Sequence, residues 1–187
     1  MHELGSVVNS PEHEWVRDLL LPYLTDLYES THHTVHLASL VGTDVVYLAK
    51  IYGHRSAVAP SRIGGTLPAH ATAVGKVLLA YRSLAAARTL SAPLNALTAH
   101  TITDVAELSA ELGAIRLRGV AYDHQESRVG LCCVAAPVLG RRGRALAALS
   151  VSGVHGQLDI HRCEASLRRV CARASSALSR VQLPRSM

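Results

Sequence analysis

The chain has 187 residues, 49% of them hydrophobic, which suits one domain of ordinary size with a sizeable core. Only 4% are aromatic and phenylalanine is absent, so small and aliphatic side chains must fill that core. Nineteen Lys+Arg against 14 Asp+Glu give a net charge of +5, a mild excess that favours a solvated basic face over a direct nucleic-acid surface.

The chain is expected to begin with a leader or linker over residues 1–10, followed by one domain over 11–182. Pro11 opens a predicted helix whose first turn is acidic, as the helix dipole favours. Pro22 is expected to kink or split this helix near Leu21, because proline removes a backbone donor.

A hairpin is predicted next, since apolar residues alternate over 34–40 and return over 45–52. A loop rich in proline and glycine should then extend through Pro68. The apolar residues that follow recur at helical spacing and predict a helix over about 72–81.

A second helical region precedes the remaining strands. Residues 83–100 are expected to contain a short helix and an irregular connection. Thr103 is predicted to cap a helix that runs to about Leu117, and Gly119 is predicted to end it.

Three strands and a long helix are predicted in the last third of the chain. The strands cover about 119–123, 129–138 and 144–152, and the last two are nearly continuously apolar, which implies burial on both faces. The helix covers about 160–181. Terminal helices flanking a run of strands indicate an α+β fold, with helices packed on an antiparallel sheet.

Two segments point to a function. Residues 64–81 read GGTLPAHATAVGKVLLAY, in which small residues lead directly into a helix. The unpaired N–H groups and the positive dipole end of such a helix favour an anion or a carbonyl group. Residues 119–153 read GVAYDHQESRVGLCCVAAPVLGRRGRALAALSVSG.

Together these segments closely resemble the effector-binding domain of IclR-type bacterial transcriptional regulators, in order and spacing across nearly all of residues 12–182. The resemblance implies a GAF-like α/β sandwich with the two terminal helices together on one face. It also implies a small-molecule sensor that controls DNA binding by a separate winged helix-turn-helix domain, which we do not expect within this chain. Family members are typically dimers or tetramers, so a homodimer or homotetramer is expected.

The resemblance also implies a ligand pocket. Its expected contacts are the Ala73 and Val74 backbone, Asp123, Leu131, Cys133, Ser150 and Ser152, with an apolar wall near Ala59 and Leu67. Ser150 and Ser152 lie two apart on a strand, so their hydroxyls share a face. Such a pocket suits a small carboxylate or hydroxylated aromatic metabolite, and Asp123 disfavours a dianion. The alternative is that both serines bond neighbouring backbone and leucines fill the space.

Other functions are less well supported by the residues. Cys132 and Cys133 lie in an apolar strand and are expected to be inert, so an enzyme is not predicted, although an enzyme using the same pocket remains an alternative. A stand-alone small-molecule sensor domain that acts through a partner protein is a second alternative. The histidines near 32–36 are expected to be scattered surface residues, with no metal site and no cofactor.

The expected location is the cytoplasm. No run of 18 apolar residues predicts a membrane span, and no signal-peptide pattern is present. The four cysteines have no CxxC spacing, which is typical of a reduced compartment.

Overall fold

The computed structural model describes residues 10–54 and 59–181, so the expected leader lies outside them except for Ser10. The strands form one antiparallel sheet in the order β3-β2-β1-β6-β5-β4. In chain order the elements are α1 (Pro11–Thr31), β1 (Thr34–Val41), β2 (Asp44–Ile51), β3 (Thr66–Pro68), a 3₁₀ turn (Ala69–Ala71), α2 (Ala73–Ala80), α3 (Ser83–Leu90), α4 (Val105–Arg118), β4 (Ala121–His124), β5 (Leu131–Leu139), a 3₁₀ turn (Arg141–Gly143), β6 (Ala145–Val154) and α5 (Ile160–Arg180).

The two terminal helices pack side by side on one face of the sheet, as predicted. Leucines of α1 and α5 share a core with the valines and leucines of β1, β5 and β6. Of the kink or split predicted near Leu21, the split is wrong, since α1 is continuous through Pro22. Pro22 is exposed, and the carbonyl left without its donor belongs to exposed Asp18, where water can satisfy it.

The second face of the sheet carries α2, and α4 packs beside it. Every residue of α2 is buried, because the sheet covers one side of the helix and α4 another. Alanines at positions 38, 135 and 148 line this face of the sheet, and their small side chains let the helix approach closely. This packing fixes the position of α2 against the strands, and so places its first turn at the site described below.

Two local predictions need correction. Asp104, not Thr103, caps α4, with its Oδ1 accepting from the Glu107 N–H at 2.8 Å. Both types are good caps, so the pattern could not separate neighbours. Strand β3 lies where a loop was predicted, and it is too short to show alternation. Gly119 does end α4, in the left-handed conformation at φ 75°.

No helix among residues 10–54 and 59–181 is long and apolar enough to cross a membrane.

Candidate functional site

A small cavity of about 20 Å³ lies between the start of α2 and the sheet. Eight of the nine residues predicted as ligand contacts line it. Leu67 does not: it pairs with Val45, two residues along β2 from Tyr47, which does line the cavity. The lining residues are His36, Tyr47, Ala59, Pro60, Ser61, Thr72, Ala73, Val74, Asp123, Ser127, Leu131, Cys133, Ser150 and Ser152.

The first turn of α2 presents free backbone donors to this cavity. Thr72 caps the helix, and its Oγ1 accepts from the Gly75 N–H at 3.0 Å. Among the described residues no acceptor takes the N–H groups of Ala73 and Val74, both of which line the cavity. These two N–H groups are therefore available to a hydrogen-bond acceptor, and the positive end of the helix dipole favours an acceptor with a negative charge.

Gly75 determines how α2 starts. A Cβ at this position would lie 2.1 Å from the carbonyl oxygen of Ala69, in the preceding 3₁₀ turn. Only glycine lets that turn fold back this closely against the helix.

The strand register assembles the polar side of the cavity. Asp123 on β4 lies opposite Cys133 on β5, which lies opposite Ser152 on β6. Ser150 on β6 lies opposite His36 on β1. Residues directly opposite in an antiparallel sheet share a face, so these five side chains lie in two adjacent rows.

His36 is the hub of the polar cluster. Its Nδ1 lies 3.3 Å from Ser150 Oγ and 3.4 Å from Ser152 Oγ, and its Nε2 lies 2.8 Å from Ser61 Oγ. Lys50 donates to both the carbonyl and the hydroxyl oxygen of Ser61, at 2.9 and 3.2 Å. The serine hydroxyls thus bond side chains, not the neighbouring backbone that the alternative reading required.

His36 corrects the expectation of scattered surface histidines, since it is only 2% exposed. Burial, reinforced by the charge of Lys50, lowers its pKa to about 3. The imidazole is therefore neutral near pH 7 and presents one donor and one acceptor to its serine neighbours.

Asp123 shapes the cavity wall more than it offers a free carboxylate. Its Oδ1 accepts from the Glu126 N–H at 2.7 Å, and its Oδ2 accepts from the Ser127 hydroxyl at 2.5 Å. Burial raises the pKa of Asp123, while these hydrogen bonds and the charge of Lys76 oppose the rise. The carboxylate holds the turn after β4 in place.

The cysteines at the site are thiols. The Cys133 Sγ donates to Ser152 Oγ at 3.1 Å, and burial, then the charge of Asp123, raises its pKa well above the ordinary value. Burial likewise raises the pKa of Cys132. A nucleophilic cysteine needs the opposite, a thiolate in an electropositive setting. Within the described part of the chain no three His, Cys, Asp or Glu side chains are grouped to hold a metal ion.

Sequence reasoning missed His36, Tyr47 and Ser61. His36 and Tyr47 sit on correctly predicted strands, but their position depends on pairing with distant strands. Ser61 lies in a loop whose pattern carries no signal. The polar residues amid apolar alternation on β1 were the one usable hint.

The comparisons with known proteins agree with this architecture. Residues 11–180 match the family model of the bacterial transcriptional regulator IclR C-terminal domain. The chain is 38% identical over 174 residues to the regulator XynR of Escherichia coli, covering 88% of this chain and 66% of XynR. It spans 43 to 66% of the length of the first curated relatives it matches, all named as transcriptional regulators.

Solved structures show the same fold. The Thermotoga maritima IclR structure superposes with a TM-score of 0.81 at 30% identity, covering 95% of this chain and 71% of that one. An IclR homologue from Microbacterium hydrocarbonoxydans, complexed with 4-hydroxybenzoate, gives 0.82 at 24% identity, covering 90% and 70%. The predicted GAF-like α+β fold is confirmed.

Proposed function

Because the chain belongs to the IclR family of bacterial transcriptional regulators and matches their C-terminal domain, we propose that its cavity binds a small monocarboxylate effector. The predicted contacts Ala59, Ala73, Val74, Asp123, Leu131, Cys133, Ser150 and Ser152 would form the site. Leu67 would lie outside the site, because it does not line the cavity.

One observation carries the proposal: free backbone donors and a neutral polar cluster meet across one buried space. The Ala73 and Val74 N–H groups lie at one side, and the His36 ring with Ser150 and Ser152 lies at the other. A carboxylate could accept from the helix terminus while its other polar groups bond the serines. Asp123 would repel a second negative charge.

In this structure the cavity is too small to hold an effector. A space of about 20 Å³ holds about one water molecule, far less than a metabolite needs. Ser61 is the side chain that occupies the Nε2 side of His36. We propose that an effector takes the place of Ser61, displacing the segment around Pro60 and Ser61 from the cavity.

Such a displacement supplies a switch. An effector that fits only the open arrangement shifts the population toward it, by no more than its difference in affinity for the two states. In an intact regulator, that shift would alter how paired winged helix-turn-helix domains meet their operator. Assembly as a homodimer or homotetramer would provide the pairing.

The proposed function is sensing, not turnover. The raised thiol pKa of Cys133 argues against a thiolate nucleophile at the site. All four cysteines are free, which supports the proposal that the protein works in the reduced cytoplasm.

A thermal-shift and calorimetry screen tests the proposal with pyruvate, benzoate and 4-hydroxybenzoate as probes. A bound monocarboxylate at about 100 times its dissociation constant should add about 2.7 kcal/mol to the free energy of unfolding. Benzamide, which lacks the charge, and phthalate, which adds a second one, are the matched controls. Failure of all three monocarboxylates, or equal binding of phthalate, would contradict the proposal.

A further inference from the structure

A second and larger cleft lies at the other end of α2, with a volume of about 440 Å³. No residue lines both this cleft and the effector cavity. Its walls come from the β1–β2 turn, the α2–α3 junction, α4 and the β5–β6 turn. The residues are Leu40, Gly42, Tyr81, Arg82, Ser83, Leu84, Ala85, Arg88, Arg116, Arg142, Gly143 and Arg144.

The charge of this cleft has one sign, since five arginines line it and no carboxylate does. None of these five arginines forms an ion pair with another described residue, although four arginines elsewhere in the described part of the chain do. Arg88, Arg116, Arg142 and Arg144 are exposed, and Arg82 is half-buried. Like charges gathered without partners repel one another, so a bound anion would reduce the repulsion between these arginines.

Two local features accompany this cluster of arginines. Burial, and then the charge of Arg144, lowers the pKa of Arg82, while the charge of Glu12 at the start of α1 opposes that change. Arg142 adopts the left-handed conformation at φ 61°, which costs a non-glycine residue about 1–2 kcal/mol. Arg142 and Arg144, in the turn between β5 and β6, thus line the same cleft as Arg82 at the junction of α2 and α3.

We propose that this cleft binds a small polyanion carrying a phosphoryl group, at a site separate from the effector cavity. Guanidinium groups match phosphate oxygens with paired, charge-assisted hydrogen bonds. The volume falls within the range of about 300–1,000 Å³ typical of small-molecule sites. Leu40, Tyr81 and Ala85 offer an apolar wall for the remainder of the molecule.

Calorimetry with inorganic pyrophosphate at low ionic strength tests this site on the full 187-residue chain. We expect one pyrophosphate per chain, and a loss of affinity of about tenfold or more in the double variant Arg142→Gln, Arg144→Gln. Arg88→Gln, an exposed change on α3, provides a second variant with the same expected direction. Melting temperatures confirm that each variant folds.

The matched control removes the same charge elsewhere. Arg162 and Arg169 are exposed on α5, across the sheet from the cleft, so Arg162→Gln, Arg169→Gln should retain pyrophosphate affinity. No binding by the native chain, or equal losses in both double variants, would overturn the proposal. Tighter, cleft-dependent binding of random duplex DNA would assign the arginines to nucleic acid and overturn it too. Monocarboxylate binding reports on the other cavity and should not change in any variant.

Discussion

The imidazole Nε2 of His36 and the hydroxyl oxygen of Ser61 lie 2.8 Å apart, and both residues line the proposed effector cavity. The two residues come from different kinds of structure. His36 is fixed in the central strand β1 with β2 and β6 on either side, whereas Ser61 lies in the connection between β2 and β3. The contact therefore joins a rigid partner to a segment outside the regular elements, which is where a ligand-driven change is least costly.

The buried neutral state of His36 predicts a pH dependence of stability. Its folded pKa is about 3, against about 6.5 in the unfolded chain, so the unfolded state binds the proton more tightly. This contribution is fully present above the unfolded pKa and is lost as pH falls from about 6.5 toward 3, by up to about 1.4 kcal/mol per pH unit. Urea unfolding across that range measures it.

A variant isolates the histidine from other titrating groups, because the raised pKa values of Asp123 and Glu126 act in the opposite direction at acid pH. In His36→Gln the stability should fall less steeply between about pH 6.5 and 4.5, by about 2 kcal/mol. His155→Gln, an exposed change, should keep the native slope. Parallel slopes for all three proteins would show that His36 is not the titrating group.

Ser152 should contribute one hydrogen bond to a bound monocarboxylate effector. Ser152→Ala is expected to weaken binding by about 0.5–1.5 kcal/mol, measured by calorimetry with whichever probe the screen identifies. Ser39→Ala is the control, because Ser39 is also buried in the sheet but bonds the Leu146 carbonyl on the opposite face. Unchanged affinity in Ser152→Ala would remove this hydroxyl from the site.

Much of the fold could be predicted, because periodicity and capping are local. The end of α4 at Gly119 and the shared face of Ser150 and Ser152 both follow from neighbours along the chain. The pairing of the terminal helices came from the family resemblance, and the order of the strands was not predicted, since residue spacing specifies neither.

The centre of the candidate site could not be predicted, because it depends on long-range register. His36 meets Ser150 across a separation of 114 residues, and a one-residue slip would turn either side chain to the other face. Leu67, which was predicted to contact the ligand and does not line the cavity, shows the same dependence on long-range register. It belongs to the expected segment, yet its partner on β2 lies two residues away from the cavity.

Gly75→Ala should destabilise the protein by about 1–3 kcal/mol, because the new methyl group would overlap the Ala69 carbonyl at 2.1 Å. Gly113→Ala is a matched change in the middle of α4, where a Cβ meets nothing within 4 Å. That variant should be stabilised by about 0.5–1 kcal/mol. Thermal unfolding checks both, and equal effects would show that the approach to Ala69 is not tight.

The buried pair of Lys76 and Glu126 predicts a strong energetic coupling. Their side chains are 2% and 6% exposed, with Nζ and Oε1 2.5 Å apart. Lys76→Met would leave the carboxylate buried without its cation, at a cost of about 3–5 kcal/mol. Adding Glu126→Leu should recover most of that loss. A double-mutant cycle by urea unfolding measures the coupling, and additive effects would contradict it.

Ser61→Ala tests whether the serine competes with the effector. Removing the hydroxyl leaves His36 Nε2 without its partner, so the unliganded protein should lose about 1–3 kcal/mol of stability. Lys50 keeps its bond to the Ser61 carbonyl, so the segment retains one attachment. Effector affinity should rise, because a ligand no longer has to break the contact between Ser61 and His36 before it binds. Calorimetry on the variant and the native chain measures both affinities. Weaker binding in Ser61→Ala would mean that the hydroxyl contacts the ligand directly, and that the cavity opens elsewhere.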